Sequence, residues 1–79
     1  MPRGLDNWSY KNVCEFLKEK GFSFLEYKKG SHEAWLNRET NAIVDIDFHA
    51  SKSFPIRTLE TMIRQSGIAK KVWYEWTKH

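Results

Sequence analysis

The chain changes hydrophobic period several times along its length, and each change marks an element. Tyr10, Val13, Cys14 and Leu17 fall at i, i+3, i+4 and i+7, the spacing of one helical stripe. Ser9 stands where an N-cap is needed, and Gly21 follows Lys18 and Lys20 where a helix stops, so a helix is predicted over residues 9 to 20. Residues 22 to 28 are aromatic-rich and read as a strand. Gly30-Ser31 interrupts it, and a second strand runs from His32 to Asn37. Arg38-Glu39-Thr40-Asn41 makes a turn, with Asn41 suited to a left-handed backbone. In residues 42 to 48, Val44, Ile46 and Phe48 alternate with Asp45 and Asp47, so one face of a third strand is buried and the other is wet. Short loops between the three strands imply an antiparallel meander.

Pro55 then sits where a first-turn proline is tolerated. Ile56, Leu59, Met62, Ile63 and Ser66 trace a second helical stripe that Gly67 ends, and residues 69 to 76 read as a short third helix with Ile68, Val72 and Trp76 in line. The order is helix, three strands, helix, short helix. One amphipathic three-stranded sheet with helices on one face makes an α+β fold, a two-layer sandwich in a single domain over residues 1 to 79.

Seventy-nine residues allow only a thin core, yet 41% apolar and 15% aromatic residues supply the material for a folded domain rather than a disordered one. Apolar runs are too short for a membrane span, and Met1-Pro2-Arg3-Gly4 lacks the features of a secretory signal. The lone Cys14 can form neither an internal disulfide nor a cysteine zinc cage and falls on the core stripe, so a reduced, cytoplasmic protein is expected. A net charge of +3 is too small to assign a nucleic-acid partner by itself. Trp8, Tyr27, Trp35, Trp73, Tyr74 and Trp76 exceed what so small a core would hold, so some are expected at the surface. There they could stack on bases or, for Trp73 and Tyr74, pack against a partner protein.

Candidate chemistry gathers at Gly30-Ser31-His32. A glycine before a strand lets a backbone or a phosphate approach closely. Lys28 and Lys29 add cations, and an imidazole can take or give a proton near neutral pH. The turn at residues 39 to 41 sets a register that brings His32 near residues 47 to 49. His49, Lys52 and Arg57 are therefore expected at the same end of the sheet, a set able to move a proton and hold a phosphodiester. Asp45 and Asp47 would repel phosphate if they shared that face, or could orient a histidine. A surface turn followed by a half-exposed strand histidine is the alternative reading. Ligation of a metal by His32, Asp47 and His49 has no defined spacing to support it.

With Gly21-Phe22, Lys29-Gly30-Ser31-His32, His49, Thr58-Leu59 and Ile63-Arg64-Gln65-Ser66-Gly67-Ile68 in view, the chain resembles the HicA family of mRNA interferase toxins over about residues 9 to 70. The resemblance implies a fold like that of double-stranded-RNA-binding domains. It further implies a metal-independent endoribonuclease of a type II toxin-antitoxin system, needing no cofactor, acting on mRNA through His32 and held inactive by a HicB-type antitoxin. Lys28, Lys29, Gly30, Ser31 and Lys52 would serve RNA binding, with His49 and Arg57 as secondary candidates. A non-catalytic RNA-binding module on the same fold and a protein-interaction domain are the competing readings.

Overall fold

A computed structural model describes residues 5–47 and 53–77. The elements follow the expected order: α1 (Tyr10–Glu19), β1 (Phe22–Tyr27), β2 (His32–Asn37), β3 (Ala42–Asp47), α2 (Ile56–Ser66) and α3 (Lys70–Trp76). Ser9 caps α1 through a reciprocal box. Its Oγ accepts from the Asn12 amide at 3.1 Å, and Asn12 Oδ1 accepts from the Ser9 amide at 3.0 Å. Val13, Cys14, Phe16 and Leu17 form the buried face of the helix.

Gly21 turns the chain from α1 into β1 at φ +94°, a left-handed conformation that side chains rarely adopt. A Cβ there would meet the Asn37 amide at 3.4 Å. That buried amide ties three segments together. Its Nδ2 donates to the Lys20 carbonyl at 3.2 Å, and its Oδ1 accepts from the Glu39 and Thr40 amides at 2.9 and 3.4 Å. The β2–β3 turn closes with Asn41 at φ +62°, as its sequence suggests.

The sheet has the order β1-β2-β3 and is antiparallel throughout. Trp35 pairs with Val44 and Glu33 with Ile46, so these side chains share the inner face, while His32 pairs with Asp47 and Ala34 with Asp45 on the other. A bulge between Phe24 and Glu26 interrupts the β1–β2 ladder. Phe22, Trp35, Val44 and Ile46 meet Leu59, Met62 and Ile63 of α2 and the inner face of α1 in one core. The result is a two-layer α+β fold, consistent with that of double-stranded-RNA-binding domains.

Some of the large aromatic residues stand at the surface as expected, but Trp73 does not. Trp8, Trp35, Trp73 and Trp76 are all buried, and only Tyr27 and Tyr74 of the aromatic set stand exposed. The reason is α3, which builds a second compartment of the core away from the sheet. Phe16 lies 4.2 Å from Trp73, and Trp8 lies 5.3 Å from Trp73 and 5.1 Å from Trp76, measured between ring centroids. Each α3 indole N–H also finds an acceptor, Trp73 on Ser66 Oγ at 3.4 Å and Trp76 on Glu19 Oε2 at 3.0 Å. Trp73 is thus a core residue and not part of a partner surface. Pro55 differs by one place: it precedes the first helical residue of α2 as the N-cap, at φ −58° and ψ 149°. No helix among the described residues is long and apolar enough to cross a membrane.

Candidate functional site

The β1–β2 connection positions the histidine. Lys28 donates its amide to the His32 carbonyl at 2.8 Å, closing a loop in which Gly30 takes φ +74°. His32 is the first residue of β2, and the strand's alternation turns it to the face opposite Glu33 and Trp35, where it is exposed. Its cross-strand partner is Asp47, within the register expected from the turn.

The second wall comes from α2. Gln65 Oε1 accepts the Asp45 amide at 3.0 Å, using an N–H on the outer edge of β3, the last strand in the sheet order among the described residues. This bond holds α2 alongside β3 and leaves an open depression of about 320 Å³ between them. His32, Asp45 and Asp47 line one side, and Arg57, Thr58, Thr61, Met62 and Gln65 line the other. Arg57 therefore joins His32 at one site. Both acids share that site's face, and each has a cation or hydroxyl against it. Lys28 Nζ lies 3.2 Å from Asp45 Oδ1, and Ser31 Oγ donates to Asp47 Oδ1 at 3.2 Å. Lys28 is thus engaged by an acid rather than projecting alone, while Lys29 is exposed in the loop. His49 and Lys52 lie outside the described residues.

Thr58, Thr61 and Gln65 carry no catalytic motif and were not anticipated from sequence. Their spacing of three and four places them along one polar flank beside the apolar stripe of α2. Which flank borders the sheet depends on the Gln65–Asp45 bond, a tertiary contact. Chemically, the arrangement offers an exposed imidazole, a guanidinium across the depression, and hydroxyl and amide groups able to bind phosphate oxygens or ribose.

The family model for the HicA toxin of bacterial toxin-antitoxin systems matches residues 10–68. The chain belongs to the HicA toxin family. The matched span runs from the first residue of α1 past the end of α2, so it includes the whole sheet and the His32 depression, while α3 follows it. The depression therefore lies within the matched span of this HicA-family chain, and the aromatic α3 lies outside it. No curated protein matches the chain.

Proposed function

We propose that this HicA-family chain is a metal-independent endoribonuclease that cleaves mRNA in the cytoplasm, with His32 as its general acid/base and a HicB-type protein as its antitoxin. The observation that carries the reading is the placement of His32, exposed at the start of β2 and sharing a depression with Arg57.

RNA holds its own nucleophile. In this mechanism His32 withdraws the proton of a ribose 2′-OH as that oxygen attacks the adjacent phosphorus, forming a 2′,3′-cyclic phosphate and expelling the 5′-oxygen, which takes up a proton. A positioned base contributes about 10²–10⁴-fold to such a step. Negative charge builds on the phosphorane oxygens, and Arg57 and Lys29 supply the opposing charge, with Lys28, Lys52 and His49 as further candidates and the Gly30-Ser31 turn as the place of backbone approach.

The test compares wild type with His32→Ala on mRNA in the presence of a chelator. Loss of cleavage and of growth arrest by the variant, with a native circular dichroism spectrum, is the expected result; cleavage at the wild-type rate would sink the proposal. The two carboxylates beside His32 favour one second reading, a non-catalytic RNA-binding module. Salt-dependent binding by wild type without cleavage products would establish that reading instead.

A further inference from the structure

A second cavity lies on the opposite side of β2 from His32. It is an open groove of about 620 Å³ between α1 and β1, walled by Phe24, Tyr27 and Trp35 and floored by Glu33, with Lys18 at its rim. Aromatic rings are unusually available here. Tyr27 is 75% exposed and Phe24 42% exposed, and they stack edge to face at 4.9 Å. Lys18 Nζ sits 5.9 Å from the Trp35 ring centroid.

Glu33 is the unusual group. A carboxylate this deeply buried, 4% exposed, requires hydrogen-bond donors. It has two, the Tyr10 hydroxyl at 2.7 Å and the Trp35 indole N–H at 3.0 Å, but both donate to Oε1. Burial and the bond to Glu33 push the Tyr10 pKa up, so its hydroxyl stays a donor. Oε2 receives no hydrogen bond from any described residue, and Glu33 lines the groove. The groove thus offers flat apolar walls and one carboxylate oxygen open to a further donor.

We infer that this groove is a nucleobase subsite, in which Tyr27 and Phe24 stack a base of single-stranded RNA while Glu33 Oε2 accepts its amino or ring N–H. Guanine fits best, because its N1–H and N2 amino group present adjacent donors to a carboxylate. Uracil fits worst, because its single N3–H is flanked by two carbonyl oxygens that the carboxylate repels. The rim cation Lys18 suits an anionic backbone and opposes a cationic side chain from a protein partner. The inference rests on the RNA-cleaving reading for its substrate class. Glu33 directly follows His32, so a strand passing around the Lys28–Ser31 turn would place one nucleotide at the imidazole and a neighbour's base in the groove.

The experiment measures binding of fluorescent 2′-O-methyl RNA hexamers, which lack the attacking hydroxyl, differing only by G or U at one position. Wild type should prefer the G-containing probe. Tyr27→Ala, at a largely exposed position, should weaken binding about tenfold. Glu33→Gln keeps an oxygen for Tyr10 and Trp35 and should erase the preference. Wild-type affinity and wild-type base preference in both variants would overturn the subsite, as would be seen if the groove held a protein partner. A parallel cleavage assay separates the two ideas. Binding losses in these variants alongside a wild type that never cleaves would refute the nuclease and leave the subsite standing, whereas an active wild type with unaffected groove variants would refute the subsite alone.

Discussion

Replacing Asp45 with Asn should tighten RNA binding, because the substitution acts twice on the charge of one face. It removes an anion from the lining of the His32 depression, and it releases Lys28, whose Nζ lies 3.2 Å from Asp45 Oδ1. The first effect follows from Coulomb's law: a phosphate about 6 Å from a carboxylate, at an effective dielectric of about 40–80, is repelled by about 0.7–1.4 kcal/mol, or roughly three- to tenfold in affinity. The second adds one phosphate contact and should steepen the slope of log K against log salt by about 0.7 for a single strand. Little stability is at stake, since the paired side chains are 47% and 38% exposed and such pairs contribute about 0–1 kcal/mol. Fluorescence anisotropy with 2′-O-methyl RNA over a range of salt concentrations reads both quantities. The double variant Lys28→Gln/Asp45→Asn should lose the added slope but keep the affinity gained from removing the anion. An Asp45→Asn protein with wild-type affinity and slope would show that RNA does not pass over this face.

Two further predictions concern the scaffold. Ser66 is buried, donates to the Ile63 carbonyl at 2.7 Å, and accepts from the Ile68 amide and the Trp73 indole at 3.1 and 3.4 Å. Ser66→Ala should cost about 1–3 kcal/mol by orphaning a buried donor, read by urea denaturation, and a loss within error of zero would discount that network. Burial raises the Cys14 pKa from its ordinary 9.0, so the folded state retains the thiol proton after the unfolded chain releases it. Stability should therefore be complete below the unfolded pKa and decline as pH rises towards the folded one; Tyr10, also raised, adds its own decline at higher pH, so Cys14→Ala should make the onset of the alkaline limb shallower, and an unchanged limb would contradict it.

Local signals carried much of this architecture. Ser9, Asn41 and Gly67 each specify a cap or turn by their own chemistry, and the alternation of Val44 and Ile46 with Asp45 and Asp47 defines the two faces of β3. The hairpin register then brings His32 opposite Asp47 without any tertiary information. Long-range packing was harder to read. Trp8, Trp73 and Trp76 are buried together against Phe16, and nothing in the short α3 pattern announces that its indoles will reach Phe16 and Trp8 on the far side of the sequence. The α2 wall of the depression was hidden for the same reason, since Gln65 reads as a solvent-facing polar residue until it meets an edge amide of β3.

Glu33 shows why alternation alone understates a site. By period it belongs to the inner face with Trp35 and Asn37, and an acid at such a position looks like a misfit in a hydrophobic core. The structure resolves the misfit through donors distant in sequence: Tyr10 from α1 meets it across the layer, and Trp35 turns its indole N–H back along the strand. Replacing Glu33 with an apolar residue would remove the acceptor from both, so the acid is already part of the scaffold. Yet both bonds fall on one oxygen, and a scaffold role alone leaves the other without a partner beside exposed rings. His32 and Glu33 are neighbours that the pleat sends to opposite faces, one to the depression shared with Arg57 and one to the aromatic groove. On the proposed reading one strand start sets both where RNA is cut and which base lies next to the cut, so changes at Glu33 should alter base preference without abolishing the chemistry at His32.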